Sequence, residues 1–142
     1  MREHLYRGKE VTTGEMVFGN LLIREGEVSG EKQYFIVHPK RGVYRYEENK
    51  VYPETVGQYT GLTIRGLKAF EGDIVRKRWT GGLSIAQIIF NDGMFIIKWN
   101  EYEHNFVSIT TFGDELEIIG NIHDNKSLLS EAKDIQPNLL ET

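Results

Sequence analysis

The chain has 142 residues, 39% apolar and 27% charged, with a net charge of -4. That is enough for one compact domain or two small lobes burying roughly 70% of the unfolded surface. There is no overall basic bias toward nucleic acid or anionic membrane, and no apolar run approaches the roughly 20 residues that span a bilayer. The chain lacks cysteine, which excludes disulfides, thiolate catalysis and cysteine-based metal sites. The opening Met1 to Arg7 has no apolar core of the secretory kind, and with no cysteine a reducing cytoplasm is the expected setting.

Glycine is abundant, with 15 residues against 3 prolines, and short apolar runs alternate with glycine-containing breaks. This pattern predicts β-structure with many turns. Met16 to Ile23 reads as a strand interrupted at Gly19-Asn20, as by a bulge. Tyr34 to Val37, closed by His38-Pro39, and Val43 to Tyr46 suggest a hairpin with a loose turn. Glu47-Glu48-Asn49-Lys50 is polar and fits an exposed connection, with an internal boundary between Tyr46 and Tyr59. Asp73-Ile74-Val75 opens a strand. Ile85 to Phe90 and Met94 to Trp99 flank Asn91-Asp92-Gly93, the strongest hairpin signal in the chain. Both arms are apolar on both faces, which predicts cover on two sides or an oligomer contact. Phe106 to Phe112 and Leu116 to Ile119 read as further strands, giving about five in this half, the count of a small partly open barrel. After a cap at Asp124 or Asn125, Leu128, Leu129, Ala132 and Ile135 form the stripe of a short helix that Pro137 stops.

Three elements carry a family resemblance. The first is Tyr6-Arg7-Gly8-Lys9 followed by Gly14-Glu15-Met16-Val17-Phe18-Gly19. The second pairs Gln58-Tyr59-Thr60-Gly61-Leu62 with Phe70-Glu71-Gly72-Asp73-Ile74-Val75, across a shorter turn than is usual. The third runs from Leu116 through Gly120-Asn121 to Asn125. Together they resemble the signature of the YopX family of phage and prophage proteins. The resemblance implies a phage-derived cytoplasmic protein, mainly β, with a small SH3-like barrel formed by the later strands. The expected organisation is an N-terminal β-lobe over 1–57, the barrel over 58–122 and a short helix and tail over 123–142. The resemblance implies no reaction. The motif residues themselves are turn and core types: Gly61, Gly72 and Gly120 suit bends, and Asp73 can accept from nearby backbone amides. Gln58, Tyr59, Thr60, Leu62, Glu71 and Asn121 are expected beside them as scaffold rather than as catalytic groups.

No catalytic constellation emerges. His4, His38, His104 and His123 are not paired at metal-ligand spacing. His104 near Glu101 and Glu103, with Asp114-Glu115, Glu71 and Asp73 elsewhere, could form a hydrolytic or metal site only if brought together, and solvated turns are the plainer expectation. Phosphate-loop, dinucleotide and zinc-protease motifs are absent. The expectation is a non-enzymatic protein with no cofactor and no metal.

Two binding features stand out. Between Arg65 and Arg78, five basic residues (Arg65, Lys68, Arg76, Lys77, Arg78) meet two acidic ones, and Trp79 follows with Gly81-Gly82 beyond it. A basic strand end with an aromatic can track phosphates and stack a base, weakly and with strong salt dependence. Alternation allows a plainer arrangement, with Arg76 and Arg78 facing solvent and Trp79 covering a barrel end. The doubly apolar hairpin and the amphipathic tail both need cover, from this chain or from a second copy. A homo-oligomer is therefore expected, with a host or phage protein as a possible further partner and no membrane.

Overall fold

The computed structural model describes residues 3–39, 46–99 and 106–129. The chain divides into two units, Met1–Gly61 and Leu62–Thr142. All strand pairing is antiparallel among the described residues, so the mainly β expectation holds.

The first unit contains β1 (Tyr6–Lys9), β2 (Met16–Glu25), β3 (Lys32–Pro39), β4 (Tyr46–Val51) and the start of β5 (Gly57–Ile64), in the order β4-β3-β2-β1-β5. β2 runs through Gly19-Asn20 without the predicted interruption. It changes partner there instead: Met16 to Gly19 pair with β1, and Asn20 to Glu25 pair with β3. Glycine is required because a Cβ on Gly19 would stand 2.5 Å from the carbonyl oxygen of Val37. β4 corrects a second expectation. The segment read as an exposed connection is the edge strand of this sheet, paired to β3 from Tyr34↔Val51 to Pro39↔Tyr46. Charge is tolerated along an edge. Glu48 takes a bidentate pair from Arg24 at 2.6 and 2.7 Å, while Asn49 and Val51 point inward. β3 and β4 do form a hairpin, but its second arm is Tyr46–Val51 in place of the expected Val43 to Tyr46, of which Val43 to Arg45 lie outside the described residues.

The far ends of this run also meet. Glu10 bridges Val51, the Val11 amide donates to Lys50 O and the Tyr52 amide to Lys9 O. Thr55, in a 3-10 turn over Pro53–Thr55, accepts from the Lys9 amide and donates to Tyr52 O.

In the second unit β5 ends in a two-residue turn at Arg65-Gly66, both with positive φ, and returns as β6 (Leu67–Phe70). Then come β7 (Asp73–Trp79), β8 (Gly82–Asn91), β9 (Met94–Trp99), β10 (Phe106–Ser108) and β11 (Leu116–Asn121). Their order, β10-β9-β8-β7-β11, is an open one. The predicted hairpin is confirmed: Asn91 pairs with Met94 across Asp92 and Gly93, at φ 50° and 80°. The strand predicted from Phe106 to Phe112 is shorter. The Ser108 hydroxyl accepts from the Thr110 amide and turns the chain into 3-10 structure over Ile109–Thr111 and Gly113–Glu115.

The core of this unit joins Ile64 and Ala69 of the β5–β6 hairpin to Val75, Ala86, Ile88, Ile97, Trp99, Ile109 and Leu116. A smaller cluster on the other side of the sheet holds Ile74 and Ile85, with Ile119, Ile122, Leu128 and Leu129 against it. The helical start Ser127–Leu129 thus packs on its own unit. Ala132, Ile135 and Pro137 lie outside the described residues. No helix among the described residues is long and apolar enough to cross a membrane.

Candidate functional site

The motif residues form the joints of the fold. Gln58 lies opposite Tyr6, and the Tyr59 amide donates to Leu5 O, anchoring the start of β5. Tyr59 is buried, Thr60 half-buried, and Gly61 takes φ 88°, a value that side-chain-bearing residues avoid. Leu62 packs on the core of the second unit. Glu71 and Gly72 make the turn between β6 and β7, and Asp73 Oδ2 accepts the Phe70 amide at 2.7 Å across it. Gly72 donates to Ile88 O and accepts from the Ile122 amide. The second and third motifs therefore meet, with Asn121 in register with Asp73 and Gly120 with Ile74. Asn121 Oδ1 accepts from the His123 and Asp124 amides, and Asn125 Oδ1 accepts from the Asn121 amide. A Cβ on Gly120 would stand 2.5 Å from that Asn125 oxygen, which is why the position suits glycine.

The basic segment separates into two faces of β7. On the outer face Arg76 donates to Glu117 at 2.7 Å, and Arg65 Nη1 approaches the same carboxylate at 4.0 Å. The Arg76 hydrogen bond holds the Glu117 carboxyl below its ordinary range. The charges of Arg76, Arg65 and Arg78 act in the same direction, and burial acts against them. Arg65 is further tied down, its amide and Nε donating to the side chain and carbonyl of Asp114. Arg78 and Lys68 are exposed. On the inner face Lys77 is buried, its ammonium 4.1 Å from the centre of the Trp79 ring and 3.8 Å from Glu115. Trp79 is half-buried and packs against Trp99 and Phe112, with ring centres 6.1 and 5.7 Å apart. So Arg65, Arg76 and Arg78 share one surface around Glu117, while Lys77 and Trp79 belong to the inner side. The inward position of Lys77 could have been found from its alternation with Val75.

The acids are spread over several structural tasks. Asp114 serves the Arg65 turn, Asp73 the β6–β7 turn, and Glu115 lies near Lys77. His38 is on β3, 3.6 Å from Glu47, and His123 is in the turn after β11. His104, Glu101 and Glu103 lie outside the described residues. Among the described residues no group of three or more His, Asp or Glu could hold a metal ion.

Among the described residues β10 pairs with Ile96, Ile97 and Lys98, and the hairpin between β8 and β9 reaches beyond it. At its tip Phe90 is 53% exposed and Met94 49%, and the Phe90 ring stacks edgewise on Phe95, 5.1 Å centre to centre.

The fold is similar to the crystal structure of protein YopX from Bacillus subtilis, with a TM-score of 0.54 over 91% of this chain and 97% of that one, at 13% identity. No curated protein matches the sequence. The family model described as YopX protein matches residues 5–130 and so takes in all three motifs, from Arg7-Gly8 to Asn125. The chain belongs to the YopX family.

Proposed function

We propose that this protein is a non-enzymatic binding module that assembles with copies of itself through the tip of the β8–β9 hairpin. The observation that carries this reading is the exposed Phe90 and Met94, with half-buried Phe95 beside Phe90, on a strand pair that β10 leaves partly uncovered. Exposed aromatic groups of this kind suit protein contacts. An SH3-like barrel is the architecture we assign to the second unit. It is supported by the hairpin lying on the core of a five-stranded sheet and by the 3-10 turn before the last strand. Family membership and the absence of cysteine favour a phage or prophage accessory role in a host cytoplasm. Light scattering at micromolar concentration is expected to give a multimer for the wild type and a monomer for Phe90→Asp, with the fold of the variant unchanged by circular dichroism. A wild-type monomer ends the self-assembly reading.

A second reading rests on a different observation. Three arginines surround Glu117 on the outer face of β7, and Arg78 is exposed there. Such a patch can hold a nucleic-acid backbone through phosphate contacts. Binding to a single-stranded oligonucleotide should then weaken with salt, and Arg78→Glu should lower the slope of log affinity against log salt by about 1. Absence of binding at low salt removes this reading.

A further inference from the structure

Side chains alternate along β7, so Ile74, Arg76 and Arg78 face one way and Val75, Lys77 and Trp79 the other. Val75 and its cross-strand partner Ala86 are core residues. Lys77 therefore stands on the apolar side of its strand, 8% exposed. A charge in that position is costly unless it is met by hydrogen bonds or an opposite charge. Much of what meets it is aromatic, Trp79 at 4.1 Å and Phe112 at 5.3 Å from Nζ to the ring centres. Its polar contacts are long. The Arg78 carbonyl is 3.4 Å away, and the Glu115 carboxylate, on a side chain 65% exposed, is 3.8 Å away.

Two further polar groups share this end of the sheet. Ser84 lies directly opposite Lys77 on β8, is fully buried, and its Oγ has no hydrogen-bond partner among the described residues. The Nε1 of Trp79 is also buried and has no partner among the described residues. Opposite Trp79 is Gly82, which adds no side chain. Buried polar atoms without partners are rare, because each carries a desolvation penalty. Here an ammonium, an indole N–H and a hydroxyl are gathered on one face, and all three can donate. The matching ligand is one that supplies acceptors and a single negative charge. A carboxylate does both, with two oxygens able to take several hydrogen bonds.

We propose that the Lys77 end of the inner face of β7 and β8 binds a small carboxylate. Lys77 supplies the charge, and Trp79 and Ser84 supply the neutral donors. Glu115 is the group the ligand displaces from Lys77. Lys77 is a single positive charge, which favours a singly charged carboxylate over a phosphate. This site is independent of the hairpin tip, so either proposal can fail without the other.

The test uses the indole N–H resonance of Trp79, assigned with a Trp79→Phe protein. Acetate is titrated against sodium chloride at matched ionic strength, and phosphate is titrated separately. Acetate should give a saturable shift that Lys77→Met abolishes and Glu115→Gln strengthens. Ser84→Ala, which removes one buried oxygen, should weaken acetate about five-fold, the worth of one hydrogen bond. The Ser84 variant keeps the test decisive if Lys77→Met fails to fold. No saturable shift in the wild type overturns the site. So does equal affinity in a folded Lys77→Met or in Ser84→Ala. A phosphate response matching that of acetate overturns the carboxylate assignment.

Discussion

Trp99→Ala is expected to lose about 3–5 kcal/mol of unfolding free energy, the range for truncating a large buried aromatic. Trp99 ends β9 and is almost fully buried opposite Ala86, whose small side chain leaves room for the indole. Its ring lies 6.1 Å from Trp79 and 5.9 Å from Phe112, and those two are 5.7 Å from each other. The three rings form a closed triangle at tilted and edge-to-face angles, each pair worth about 0.5–1.5 kcal/mol beyond area burial. Alanine removes two of the three contacts and leaves a cavity that a sheet cannot readily collapse to fill. For a domain whose whole stability is of order 5–15 kcal/mol, that is a large share. Urea unfolding should show the midpoint falling with little change in slope. A loss below about 1 kcal/mol would mean that the triangle is not a structural centre. The same substitution removes support from beneath Trp79, and with it the aromatic cover over Lys77.

What could be read from the sequence was local, and what could not was mostly pairing. Asp92-Gly93 named its hairpin because the chemistry of a two-residue turn resides in the turn itself. Asp73 was legible for a similar reason, its donor, the Phe70 amide, being only three residues away. β4 was missed because Glu47-Glu48-Asn49-Lys50 looks like a loop, and only the sheet edge explains why such residues form a strand. Gly19 looked like a bulge signal, yet its constraint comes from a carbonyl on the neighbouring strand. The apolar spacing from Phe106 to Phe112 suggested one long strand, and the Ser108 hydroxyl, a short-range competitor for backbone amides, ended it early. In the basic segment, composition gathers Lys77 with the arginines. Alternation separates them, and the inner side of β7 becomes a different site from the outer. The bond from the Ile122 amide to Gly72, joining two motifs fifty residues apart in sequence, had no signal in either motif alone.

Asp73→Ala is expected to cost about 1–3 kcal/mol, the penalty for stranding a buried donor. The carboxylate is 2% exposed and holds the Phe70 amide across the Glu71–Gly72 turn. Phe70 is itself buried, so water cannot readily replace the lost acceptor. Gly72, at φ 94°, is fixed from both sides by Ile88 and Ile122, so the turn has little freedom to relax. Asparagine keeps an acceptor oxygen but loses the charge, and a charge-assisted bond is roughly twice as strong as a neutral one. The order of stability should therefore be Asp, then Asn, then Ala, with amide exchange at Phe70 quickening in the same order. Equal stability for all three would show that the bond is dispensable and would leave the motif without a scaffolding reason. The loss should appear in the protein alone, with no ligand added. A residue kept for binding would instead reveal itself only when its ligand is present, and removing it would leave the free protein as stable as before or more so.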